Sequence, residues 1–402
     1  MHITETGRRI DSIVPQSTLP RSTPLNGTGR YTRRCSLTLP GCAQAHVPLP
    51  FNFMVKRFEF ASDRRSQTSE MRWRFWFSSV TVFVTLVLIS WGGFVTSIDA
   101  GLAVPDWPAT FGSYDPFITG FEDPDDPTAR WWHSTPVLAE HGHRLLGALV
   151  GMMILVLAFW TWWSDHRRWM KILGFVALVL VTVQGILGGL RVIWLSLDLA
   201  VVHAFTAQIF FSLLIAMTIF TSRSWLEDRF KVSSSVTMSH IGRTRYLALG
   251  TLAALYLQII LGALLRHPGL SVDPLFASIH IVGAFVVTGL VFATFAYVWR
   301  YVELAPWLRR ATWWMLGLVV LQFALGLGAF AVILYEAPHA MRSVLQVVLA
   351  SSHVTVGSLL VGSTVAVILY ALRRPFFPSS AGGNGEETSH PVADQSTSSY
   401  VT

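Results

Sequence analysis

Long apolar stretches and short polar segments alternate along this chain from about residue 75 to residue 372. The apolar stretches run near 75–96, 142–163, 169–190, 200–221, 246–265, 277–299, 311–334 and 347–372. Each is about 20 residues long, enough for a helix to cross a bilayer core of roughly 30 Å. The pattern predicts an all-α integral membrane protein with eight transmembrane helices. Outside this region periodicity is lost. Residues 1–70 are rich in Arg, Ser, Thr and Pro and are expected to form a disordered, cytoplasmic N-terminal extension. The Gly/Ser/Thr-rich tail at 375–402 is expected to be disordered as well.

Composition agrees with this reading: 52% of residues are hydrophobic and only 13% charged, against about a quarter charged in soluble domains. The distribution of charge adds an orientation. Segments after even-numbered spans are basic, with Arg167, Arg168 and Lys171, then Arg223, Arg229, Lys231, Arg243 and Arg245, then Arg300, Arg309 and Arg310. Segments after odd-numbered spans carry one arginine each: Arg130, Arg191, Arg266 and Arg342. By the positive-inside rule both termini face the cytoplasm. The net charge of +7 has the anionic inner leaflet of the lipid bilayer as its natural partner, and no motif points to nucleic acid. The expected location is the bacterial plasma membrane. The arginines at 8, 9, 21, 30, 33 and 34 leave a transit peptide and the mitochondrial inner membrane as the alternative, while Glu5 and Asp11 weigh against it. Translation starting at Met54 or Met71 is a further alternative. Cys35 and Cys42 precede the first span, on the reducing side, where a disulfide is not expected.

The chain also reads as duplicated. Gln184-Gly-Ile-Leu-Gly188 resembles Gln258-Ile-Ile-Leu-Gly262 and Gln322-Phe-Ala-Leu-Gly326. Gly93 to Leu102, closing span 1, loosely matches Gly262 to Leu270, closing span 5. The expectation is two pseudo-repeated four-helix bundles, 71–232 and 233–374, the first including a large outer loop at 97–140. That loop carries Pro105-Asp106-Trp107-Pro108 and Trp131-Trp132, which suggest an ordered cap at the membrane surface.

Four histidines, His143, His203, His280 and His353, each open an even-numbered span. Each is followed four residues later, on the same helix face, by a small residue: Gly147, Ala207, Ala284 and Gly357. An imidazole beside a smooth patch, two helices per bundle, suits a heme with two axial histidines. Ionisable groups within spans read as functional by default. Three residues before the histidines stand Glu140, Ala200, Ala277 and Ala350, so only the first bundle carries a carboxylate beside its ligand. An ion pair with Arg144 or a loop residue is the structural alternative for Glu140. His141 points about 160 degrees away from His143 on a helix of 3.6 residues per turn and is not expected to share its iron. Arg144 and Arg266 lie at the outer ends of spans, where they can pair with heme propionates or snorkel to the interface. His133, His267 and His339 are not expected to bind iron.

At these residues the sequence resembles the heme A synthase family over about 75–372. The most specific piece is Glu140-His141-Gly142-His143-Arg144. Supporting pieces are Gly101-Leu-Ala-Val-Pro-Asp-Trp-Pro108 with Phe111-Gly112, the Gln-x-x-Leu-Gly segments, Leu265-Arg266-His267 and the histidines of spans 4, 6 and 8. The resemblance implies oxidation of a ring methyl of heme O, in two successive steps, to the formyl group of heme A. It implies His143 and His203 on the substrate heme O, His280 and His353 on a heme b, and Glu140 as the catalytic carboxylate. It further implies heme O synthase and cytochrome oxidase assembly as partners, with a homo-oligomer left open. Many bacterial members carry a cysteine pair in an outer loop that this chain lacks. A di-heme b electron-transfer cytochrome is the alternative function, and a transporter ranks below it because the prolines lie in loops rather than mid-span.

Overall fold

The computed structural model describes residues 51–118, 121, 128, 130–226, 235–265, 274–302, 306–335 and 342–372, with side chains for all of these except 51–71 and 235–238. Of the compact unit Met1–Phe58, only the first turns of one helix are described; everything below concerns the second unit, Glu59–Thr402. Among the described residues every regular element is helical, and one isolated bridge joins Thr110 to Ser113. The helices are α1 (Phe51–Ser97), α2 (Thr135–Ser164), α3 (Arg168–Ile193), α4 (Leu197–Thr221), the single turn α5 (Arg223–Leu226), α6 (Ser235–Leu264), α7 (Pro274–Tyr301), α8 (Pro306–Tyr335) and α9 (Val344–Leu372).

Eight of these are long and apolar enough to cross a membrane, as the hydropathy pattern predicts. Three helix starts differ most from expectation. Helix α1 starts at Phe51, so residues 51–70 of the expected disordered extension are helical. The segment after Pro50 holds neither Pro nor Gly up to Trp91, and nothing in it stops a helix. Helices α2 and α6 begin at Thr135 and Ser235, several residues before their apolar stretches, because polar residues such as Glu140, His141 and His240 also take helical turns. The expected extension 1–50 and the tail 375–402 lie outside the described residues.

The helices close into two rings of four. In the first, α2 packs on α3 and α3 on α4. Helix α1 completes it through Trp91, whose indole Nε1 donates to the Ala139 carbonyl of α2 (2.8 Å), and through Ser78 against Thr218 of α4 (2.7 Å). Val150, Ile154, Leu157, Phe210 and Leu214 fill its core. In the second ring α6 packs on α7, α7 on α8, α8 on α9 and α9 back on α6, around Leu255, Val291, Met315, Leu360 and Val365. The two rings meet along α9, the most buried span at 56% of its apolar window against 6–22% for the others. Its side there is small and polar. Thr355 donates to Ser90 (2.8 Å), Ser358 accepts from Gln208 Nε2 (2.8 Å), and Gly362 lies against Ile215 and Phe211. In lipid, where burying apolar surface brings no helices together, close small-residue packing and hydrogen bonds hold such an interface.

Candidate functional site

All four histidines stand in the second or third turn of their helices, at the end of the molecule that carries the 98–134 loop. Each has a glycine of the preceding span directly against its ring. A Cβ placed on Gly92 would come within 3.0 Å of His143 Cε1; the corresponding distances are 3.4 Å from Gly188 to His203, 3.2 Å from Gly262 to His280 and 2.9 Å from Gly326 to His353. One arrangement therefore recurs four times: a glycine one helix back forms a flat seat on which the imidazole lies. Three of these glycines end the Gln-x-x-Leu-Gly segments, whose spacing flagged duplication but not this contact. The small residues four positions after each histidine behave less uniformly. Gly147 has open space beside it, whereas Gly357 is packed by the Gln322 amide, 3.1 Å from its would-be Cβ.

The glutamines of the same segments hold the rings. His353 Nδ1 lies 3.1 Å from the Gln322 carbonyl, and its Nε2 lies 3.1 Å from the Gln322 side-chain nitrogen. The carbonyl can only accept, so the proton sits on Nδ1 and the lone pair on Nε2. His203 meets Gln184 differently, through the side-chain amide at Nδ1. With the Gln184 oxygen turned to Thr206 Oγ1 and the Ala207 N–H, its amide nitrogen stands 3.1 Å from His203 Nδ1. At His280, Nδ1 is buried close to the backbone of Gln258 but outside hydrogen-bond geometry. His143 Nδ1 is also buried without a hydrogen-bond partner, and the residue one turn before its seat is Leu88, not glutamine. His280 and His353 face one another, ring centroids 6.4 Å apart with planes at 65°. Two metal–nitrogen bonds of about 2 Å plus the two half-rings come to roughly that separation.

Around His143 the first bundle carries more chemistry. Glu140 is buried at 4% exposure, and both carboxylate oxygens are engaged: Oε1 with Arg144 Nη2 (2.8 Å), Oε2 with the Val104 N–H (2.8 Å). Arg144 also donates to the carbonyls of Val104 (3.0 Å), Asp106 (2.8 Å) and Ala109 (3.2 Å). Its planar fork is thus spent on the loop and Glu140. The loop is built to receive it. Asp106 accepts from the N–H groups of Phe111 and Gly112, both at 2.8 Å, Val104 and Thr110 are buried, and Trp107 is set against Gly189 of α3. The expected ordered cap is present over its described residues.

His141 turns away from His143, as its helical phase requires. Its Nε2 pairs with the Pro116 carbonyl (2.8 Å) and its ring stands edge-on to Trp131. His133 Nδ1 accepts from the Arg130 N–H and is exposed. Arg266, His267 and His339 lie outside the described residues. One basic residue that the sequence reading used only for topology is brought into the site. Arg191, in the last turn of α3 and three residues after Gly188, interacts by charge with His143, His203 and Glu140. Only the pairing of α3 with α4 and with the loop could reveal it. No cluster of three or more His, Cys, Asp or Glu residues suited to a bare metal ion occurs among the described residues.

Comparison with known proteins bears on this arrangement. Residues 75–270 match a family described as cytochrome oxidase assembly protein. That segment holds Glu140, His143 and His203 but ends before His280 and His353. Among curated relatives, "Heme A synthase" of Geobacillus kaustophilus is 27% identical over 200 residues, covering 49% of this chain and 57% of the relative. "Heme A synthase" of Lysinibacillus sphaericus is 31% identical over 199 residues, 48% of this chain and 57% of the relative. That of Exiguobacterium sibiricum is 29% identical over 197 residues, 48% and 59%. The chain thus spans less than two thirds of the length of the relatives it matches. With its eight helices long and apolar enough to cross a membrane, the chain is similar to the cytochrome oxidase assembly protein family across the histidine-bearing first bundle, residues 75–270.

Proposed function

We propose that this protein is a heme A synthase, oxidising a ring methyl of heme O to a formyl group in heme A biosynthesis for cytochrome oxidase. The observation that carries the reading is the fourfold glycine-seated histidine, two per bundle, with a buried carboxylate beside only one of them. His143 and His203 hold the substrate heme O, and His280 and His353 hold a resident heme b. Two features of the second pair support this: ring centroids 6.4 Å apart, and a Gln322 carbonyl that keeps the His353 lone pair on Nε2, where the Gln322 amide would give way to the metal. When bound, heme b supplies one-electron redox capacity, which no side chain at this site offers.

The chain's own residues position the substrate. The glycine seats fix the planes of His143 and His203, and the Arg144 and Val104 contacts fix Glu140 three residues before His143. A carboxylate so placed stabilises positive charge developing at the reacting carbon and accepts a proton from it. Each of the two oxidations adds one oxygen atom and passes two electrons to an acceptor outside this chain; the first converts methyl to hydroxymethyl, and the second gives a gem-diol, which loses water to leave the formyl group. The Trp-rich loop closes this end of the bundle and limits access of bulk water. The basic segments after even-numbered spans set both termini in the cytoplasm of a bacterial plasma membrane, so the histidines lie near the outer face. Heme O synthase is the proposed donor of substrate.

The alternative is a di-heme b electron-transfer cytochrome. It draws on one observation: both oxygens of Glu140 are already paired, which a purely structural clamp would also require. The two are separated by extracting heme from a host that makes heme O but no heme A, expressing wild type or Glu140→Ala. Heme A or its hydroxymethyl precursor in the wild type alone is the expected result. Recovery of only heme b and unmodified heme O from folded wild-type protein would establish the cytochrome instead.

A further inference from the structure

We infer that Arg191 binds a propionate carboxylate of the heme held by His143 and His203; this rests on the heme reading above. Arg144 stands nearest to His143 in sequence, but its guanidinium already serves Glu140 and three loop carbonyls. Arg191 is different. Among the described residues no carboxylate or carbonyl hydrogen-bonds its side chain, although it is only partly open to solvent. It lies three residues after Gly188, the seat of His203, and so on the same face of α3. The outer loop is shaped around it: a Cβ on Gly101 would collide with the guanidinium, so the loop backbone passes directly alongside. The same loop, three residues on, supplies the Val104 N–H that holds Glu140.

The balance of charge gives the ligand its sign. Within reach of Arg191 are His143, His203 and Glu140. Two of these are neutral when ligating, and the third is neutralised at close range by Arg144. The site therefore has one cation without a close counter-ion, in a setting where an unpaired charge is costly. A planar five-donor group suits a carboxylate that arrives with the ligand. Were the two histidines to hold the metal of such a ligand, its anionic groups would lie at its edge, as heme propionates do.

The test uses the full chain, produced without heme precursors and purified in detergent, as wild type, Arg191→Met and Arg191→Lys. Each is titrated with hemin and with hemin dimethyl ester, reading the Soret band of bis-histidine heme. Wild type is expected to take two equivalents of hemin. Loss of a charged hydrogen bond is expected to weaken one of them by about 10- to 100-fold in Arg191→Met, with Arg191→Lys between the two. The second equivalent is unchanged and serves as the folding control. For the weakened site the wild type prefers hemin to its diester, and Arg191→Met does not. Retention of wild-type preference at both sites in Arg191→Met overturns the inference alone, and so does equal weakening of both equivalents. Wild type that takes up no bis-histidine hemin defeats the heme reading and this inference with it.

Discussion

The glycine seats make a graded prediction, because the four distances form a series. Ordinary van der Waals contact for a Cβ begins near the 3.4 Å found at Gly188; Gly262 falls short of it by about 0.2 Å, Gly92 by about 0.4 Å and Gly326 by about 0.5 Å. Replacing each glycine by alanine adds one methyl group at the ring edge. A helix gains roughly 1 kcal/mol from Gly→Ala, while overpacking a fitted contact costs about 1–3 kcal/mol. At Gly188 only the gain applies, so Gly188→Ala should leave heme content unchanged and raise the melting temperature slightly. At Gly326 the methyl must displace His353, whose Nδ1 donates to the Gln322 carbonyl, so the ring cannot move without loosening that 3.1 Å contact. A net loss of about 1–2 kcal/mol there corresponds to roughly 5- to 30-fold weaker heme retention. The assay is transfer of heme from each purified variant to apomyoglobin, followed by absorbance. The expected order of loss rates is Gly326→Ala, Gly92→Ala, Gly262→Ala, then Gly188→Ala equal to wild type. Loss from Gly188→Ala as fast as from Gly326→Ala, or no change in any variant, would refute the seat.

Three further predictions follow from contacts away from the ring planes. Asp165, at the opposite end of the first bundle, is 3% exposed and bridges Arg74 (3.0 Å) and Arg167 (2.8 Å). Burial alone would raise its carboxyl pKa, but the Arg167 hydrogen bonds and the two arginine charges outweigh that and hold it below the ordinary value. Its stabilisation is therefore present above the usual carboxylate pKa and lost as pH falls through the lowered one. Asp165→Asn should cost about 3–5 kcal/mol at neutral pH and flatten that acid limb, read by thermal melts across pH. Arg144→Met should release the 104–109 segment, seen as faster limited proteolysis in the loop while Arg144→Lys stays closer to wild type. Gln208→Leu removes one hydrogen bond between the two rings and should lower stability by only about 0.6–1.7 kcal/mol in a melt.

The number and kind of spans were legible from hydropathy, because a bilayer imposes length and polarity on each helix separately. Helix starts were not. Residues 51–70 read as an unstructured Arg/Ser-rich stretch, yet nothing in them breaks a helix, and hydropathy does not register polar helix. The four histidines were legible as a repeated setting, whereas their seats were not, because helical phase describes a residue's own face and the seat lies on another helix. Arg144 and Arg191 show the same limit. Both are single arginines at span ends, and only the loop's path shows that one is committed to Val104, Asp106 and Ala109 while the other faces the histidines.

The repeat itself carries the difference between the two bundles. Three seats follow a glutamine that touches the next histidine; the fourth, Gly92, follows Leu88, and a search for Gln-x-x-Leu-Gly passes it by. His143 Nδ1 is accordingly buried with no glutamine beside it, whereas His280 Nδ1, also without a hydrogen bond, lies close to the Gln258 backbone. A ligand histidine held at its second nitrogen is fixed in orientation and basicity; one without that partner binds more weakly and turns more easily. Under the proposed function that would suit a site that exchanges its heme, while the Gln322-held His353 would suit a heme that stays. The carboxylate of Glu140 lies on the same helix as the less constrained histidine. Two independent features of the chain, a missing glutamine and an added glutamate, therefore set the first bundle apart from the second.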